Sequence, residues 1–146
     1  MKKILFCLFL ISGMIACDSD SIISKVTAFI DGDTWKSITQ VASLTGDKLN
    51  ITATDSQGRI LSLETSGYTK GTYTIGQTNY CAGSYKASAT ASTNDIYFSI
   101  SGTITITSSG SSVSGTFDLV CAKNANPDDF VTITNGQFTN VRILNH

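Results

Sequence analysis

From residue 96 to residue 107 the chain alternates with a period of two. Ile96, Phe98, Ile100, Ile104 and Ile106 take even positions, with Gly102 in the gap, while Tyr97, Ser99, Ser101, Thr103, Thr105 and Thr107 fill the odd ones. Successive side chains of a strand point to opposite faces, so this pattern predicts one long strand with its even face buried. The segment 108–112, SSGSS, is a turn. Val113, Phe117 and Leu119 then alternate on odd positions with Gly115 in step. The pair reads as a long β-hairpin.

The same logic places further strands. One covers 26–30 and is ended by Asp31-Gly32-Asp33; another carries Leu49, Ile51 and Ala53 and closes at Ser56-Gln57-Gly58. Leu61 and Leu63 mark the return, Tyr73 and Ile75 a short strand between Gly71 and Gly76, and Tyr85, Ala87 and Ala89 another. Val131 and Ile133 open the last region, where the alternation slips at Asn135-Gly136, as at a tight turn or bulge. No long stretch has helical spacing. About eight to ten strands with turns every ~8–12 residues predict an all-β fold, an antiparallel meander forming a β-sandwich or flattened barrel. Ala87, Ala89, Gly102 and Gly115 are small enough for tight curvature or close sheet contact. Nineteen Ser and 20 Thr suit a solvated sheet face, and the regular apolar spacing argues against disorder.

The N-terminus reads as an address. Lys2 and Lys3 precede a mainly apolar run from Ile4 to Ile15, too short for the ~20 residues of a spanning helix, so it reads as a signal h-region. Met14, Ile15 and Ala16 lead into Cys17. The arrangement resembles the lipobox of bacterial lipoproteins, with Met14 in place of the usual Leu. The resemblance implies cleavage between Ala16 and Cys17, a diacylglycerol on the Cys17 thiol, and stable attachment to a membrane, since two acyl chains hold where one does not. Residues 1–16 are then the signal, 17–24 a lipidated cysteine with a short tether, and 25–146 one β domain. Asp18, Ser19, Asp20 and Ser21 form a solvated tether that also looks like the acidic export signals of Bacteroidota surface lipoproteins. An outer-membrane lipoprotein, on the periplasmic face or the cell surface, is the expected location.

Beyond the signal, the order of phrases resembles a family of small Bacteroidota lipoproteins with a β domain of unknown function. The carrying residues are Ala28-Phe29-Ile30-Asp31-Gly32 with Trp35, Ile51-Thr52-Ala53-Thr54-Asp55, Gly71-Thr72-Tyr73, Ser101-Gly102-Thr103-Ile104-Thr105-Ile106, Val113-Ser114-Gly115-Thr116-Phe117 and Ile133-Thr134-Asn135-Gly136-Gln137-Phe138. The resemblance implies a lipid-anchored β domain and no known activity.

Few residues offer chemistry. Cys7 leaves with the signal and Cys17 carries lipid, so Cys81 and Cys121 remain as an even pair in an oxidising compartment. They are expected to form a disulfide closing about 40 residues, worth roughly 4 kcal/mol. The sole histidine is the terminal His146, a poor general base, so a Ser-His-Asp arrangement is not expected. Zinc lacks its usual ligands. Asp31 and Asp33, or Asp128 and Asp129, are oxygen donors that calcium accepts, but their spacing is that of ordinary turns and no metal is assigned. Glu64 has no evident partner for sugar hydrolysis.

Trp35, Tyr68, Tyr80, Tyr85 and Tyr97 are the aromatics that offer a stacking surface for a sugar or peptide, with Trp35 favoured as core. The mature chain carries 8 Lys plus Arg against 11 Asp plus Glu, about −3, and no basic patch, which disfavours nucleic acid. The expectation is a non-catalytic, membrane-anchored module without a cofactor that binds a glycan, a peptide or an envelope protein. The alternatives are a lipocalin-like barrel holding a small apolar ligand and a carbohydrate-binding module.

Overall fold

The computed structural model describes residues 23–145. The expected signal, cleavage site and lipidated Cys17, most of the expected tether, and His146 lie outside the described residues. Nine strands follow in order: β1 Lys25–Ile30, β2 Asp33–Thr45, β3 Lys48–Asp55, β4 Ile60–Thr65, β5 Gly71–Thr74, β6 Cys81–Lys86, β7 Ile96–Ser108, β8 Ser112–Lys123 and β9 Asn126–Arg142. A single 3₁₀ turn at Thr93–Asp95 precedes β7. All strand pairings are antiparallel, in the order β5-β7-β6-β4-β3-β2-β1-β9-β8, and β7 also pairs with β8. That pairing joins the sheet to itself. Eight strands form a closed up-and-down barrel, and β5 is an extra strand laid along the second half of β7, opposite 103–106. Of the two architectures left open by sequence, the barrel is the one formed, and closure removes the sheet edges.

Turn chemistry sets the meander. Asp31 and Gly32 both have positive φ, 50° and 87°, and Ile30 pairs with Asp33 across them. Two successive residues in that region give the primed turn whose twist matches a hairpin. The Asp31 side chain also accepts the Thr132 N–H at 2.7 Å, tying the turn to β9.

The barrel interior is packed with side chains. Trp35, Phe117, Phe138, Leu49, Ile51, Leu61, Ile104, Ile106, Leu119 and Ile133 are all less than 2 % exposed. An eight-stranded barrel is just wide enough to be filled or to hold one small ligand. Here two cross-strand pairs, Gly115 with Phe138 and Phe117 with Gly136, set each ring over the opposing glycine. A Cβ at either glycine would strike that ring, so the glycines create the space the phenyls occupy. The two rings stack with centroids 6.3 Å apart.

The structure corrects several sequence expectations. Along β7 the register shifts between Ser99 and Ser101, leaving Ile100 as an extra residue opposite β8. The bulge reverses the side-chain parity. Ile104 and Ile106 point inward as expected, but Phe98 and Ile100 point outward, 44 % and 53 % exposed. Gly102 beside the bulge has φ 127°, and a Cβ there would press on the Asp118 carbonyl and stand 2.8 Å from the Leu119 Cα. Strand β2 had no clear alternation in sequence because a second bulge at Ile38 breaks it. Ala87 and Ala89 lie past the end of β6, in an exposed turn. The slip at Asn135-Gly136 is a bulge within β9, with Asn135 at φ 51°.

The expected disulfide is absent: Cys81 and Cys121 are free, buried thiols. One lies on β6 and the other on β8, with β7 between them. Two strand spacings of about 4.8 Å exceed the ~7 Å Cα separation a disulfide spans.

Candidate functional site

The sheet register draws an outward-facing row around the barrel. Val41 lies opposite Thr52, Thr52 opposite Ser62, Ser62 opposite Ser84, Ser84 opposite Phe98, Phe98 opposite Ala122, and Ala122 opposite Phe130. A second row beside it runs Asn50, Glu64 and Ala82. In the middle of these rows the side chains are short, and the wall dips there. The result is a groove of about 220 Å³ over β3, β4 and β6, lined by Asn50, Thr52, Ser62, Glu64, Ala82 and Ser84, with Phe98 from β7 at one end. Backbone of Ile51, Leu63 and Gly83, whose places belong to the inner face, completes the floor.

The groove is near neutral. Glu64 is the one charged residue of the lining. Its carboxylate accepts the Tyr80 hydroxyl at 3.3 Å and faces the Lys48 ammonium at 3.8 Å, which also sits 5.4 Å from the Tyr80 ring centre. Hydrogen bonding to Tyr80, then the charges of Tyr80 and Glu64, hold Lys48 above the ordinary lysine range. The lining brings together one amide, three hydroxyls and one carboxylate, and holds no histidine or cysteine. That set suits hydrogen bonding. Beyond Phe98 the outer wall turns apolar: Ile100 follows on the same strand, and Val120, Ala122 and Phe130 on the next two, with Phe130 49 % exposed.

The five aromatics expected to bind are dispersed. Trp35 is wholly buried in the core, as favoured, with no hydrogen-bond partner for its Nε1–H among the described residues. Tyr85 is buried and Tyr97 half-buried, their rings 6.2 Å apart at the end of the barrel where β6 finishes and β7 begins. Around them Tyr97 donates to Asp129, Lys123 pairs with Asp95 and Asp129, and Arg59 pairs with Asp55. Burial raises both tyrosine pKa values. Tyr68 packs partly buried against the core. Only Tyr80 borders the groove. The aromatic that walls it, Phe98, was missed because the alternation assigned it to the core. The signal for it is Gly102, which stands where the pattern wants a large apolar residue and marks the broken parity.

Asp31, Asp33, Asp128 and Asp129 do not converge; among the described residues no group of three or more His, Cys, Asp or Glu is placed to hold a metal ion. Nor is any helix among them long and apolar enough to cross a membrane. Comparison with curated proteins and with solved structures returns no match. A family model described as Domain of unknown function (DUF6252) matches residues 24–142, which spans all nine strands, and the chain therefore belongs to that family.

Proposed function

We propose that this protein is a lipid-anchored, non-catalytic binding module of the cell envelope that engages its ligand on the outer wall of the barrel. The observation that carries the reading is the contrast between a packed interior and an outer groove bordered by half-exposed apolar side chains. A ligand needs an unfilled concavity with a few polar groups, and the groove supplies both. The anchor rests on the sequence: a positive n-region, a short apolar run and Cys17. The apolar-inside alternation supports a domain held in water, the reverse of the apolar-outside pattern of outer-membrane barrels.

Cys17→Ser is expected to move the protein from the membrane fraction to the soluble one. Continued membrane sedimentation with palmitate incorporation would overturn the anchor.

The lipocalin-like reading draws on one observation, the unpaired Trp35 Nε1–H inside the barrel. Trp35 is the sole tryptophan, so its emission reports on the interior. Titration with a small brominated apolar ligand, which quenches tryptophan only at close range, is expected to leave Trp35 emission unchanged. Saturable quenching would place the ligand inside and defeat the outer-wall reading.

A further inference from the structure

Resting on the outer-wall reading, we infer that the groove bounded by Phe98 and the Glu64–Tyr80–Lys48 cluster binds a neutral oligosaccharide segment. The polarity points that way first. Asn50, Thr52, Ser62 and Ser84 line the groove with no side-chain hydrogen bond to the described residues, so their donors and acceptors are open to a ligand rich in hydroxyls. Charge points the same way. The lone carboxylate already faces Lys48 and Tyr80, so the groove offers no free cation to an anionic ligand and no strong field to a basic one. Phe98 gives an exposed ring face at the groove end, against which the C–H face of a pyranose can pack.

Size then separates the candidates. About 220 Å³ is below the ~300–1,000 Å³ of pockets that enclose a drug-sized molecule, which fits a chain segment laid across the wall. The three short-side-chain strands and Phe98 span three strand spacings, about 14 Å, enough for a few sugar rings. A protein partner would need much more. Phe98 and Phe130 expose only about 100 Å² each, against the ~800 Å² of total surface each partner buries in a stable complex.

Affinity electrophoresis of the folded domain, residues 23–146, in native gels containing a soluble β-glucan, an α-glucan or a mannan tests the inference. At least one gel is expected to retard the band relative to a polysaccharide-free gel. Phe98→Ala and Ser62→Gln, the latter filling the groove without adding charge, are expected to abolish the retardation, while Ile38→Ala on β2 preserves it. Thermal melts confirm that each variant is folded. Retardation by none of the three, or retardation that survives both groove variants, would overturn the assignment. So would selection from a displayed peptide library of an extended apolar peptide that needs Phe98, with no glycan bound. In any of these cases an unchanged Trp35 emission with the brominated apolar ligand leaves the outer-wall reading standing. Quenching of Trp35 brings down that reading itself.

Discussion

Asp55 shows how one residue can hold a turn. Its Oδ1 accepts the Gln57 and Arg59 N–H groups at 2.9 and 2.8 Å, and its Oδ2 accepts the Arg59 Nε–H at 2.6 Å. Burial works against its ionisation, but the hydrogen bonds from Arg59 and Gln57 and the Arg59 charge together hold the carboxyl below its usual range. A native pKa below the unfolded one gives stability that is present above the ordinary carboxylate range and is lost as pH falls through the native value. Urea midpoints measured from pH 6 down to about 2 are expected to fall more steeply for the parent than for Asp55→Asn, starting near the usual Asp pKa of ~3.9. At neutral pH that substitution should cost about 2 kcal/mol, because Arg59 loses a charged partner. The cysteines make a second residue-scale prediction. Burial pushes the Cys121 thiol up to about 12 and raises Cys81 as well. Thiolate is the reactive form. Iodoacetamide at neutral pH should therefore label neither thiol in the folded domain, yet both in urea without any reductant. A need for reductant would restore the disulfide.

At the scale of the element, the β7 bulge decides which residues the solvent sees. Ile100 is the additional residue, and Gly102 lets the backbone close against Asp118 and Leu119 on the far side. Gly102→Ala combines a strained φ with a backbone clash and is expected to cost more than about 2 kcal/mol in a denaturant titration. Deleting Ile100 should be milder. As the extra residue opposite β8 it can leave without a change of register: Ser99 stays opposite Cys121, Ser101 opposite Val120, Phe98 outward and Ile104 and Ile106 inward. A cooperative unfolding transition retained by the deletion variant is the expected readout, and its loss would show that the bulge itself is required. The same bulge explains the groove: with Phe98 turned out beside Ser84, a wall of short side chains acquires a raised aromatic end.

At the scale of the molecule, the proposed anchor orients the barrel. Strand β1 begins at Lys25, at the end that carries residues 46–47, the 66–80 segment and the 109–111 turn. An extended tether of eight residues, 17–24, reaches at most about 3.5 Å per residue, or some 28 Å. That end then faces the membrane, and the turns at 31–32, 56–59 and 87–95 face away, with the groove on the side wall. Bimane attached to Asp47→Cys should be quenched by a headgroup quencher in vesicles bearing the lipidated protein, and bimane at Ala91→Cys should not. Equal quenching would exclude this orientation.

Much of the barrel was legible in the chain itself, because period-two alternation and Asp-Gly or Gly-containing turns are local. The β3–β4 and β7–β8 strands, the Asp31-Gly32 turn and the Asn135-Gly136 slip all followed from neighbours in sequence, and the burial of Trp35 from the size of its ring. Strand β2 did not, since Ile38 interrupts its alternation, nor did closure, which depends on β7 meeting both β6 and β8. The free state of Cys81 and Cys121 and the outward turn of Phe98 belong to tertiary structure too. A parity shift is invisible until a partner strand supplies the register, and the distance between two thiols is set by which strand lies between them.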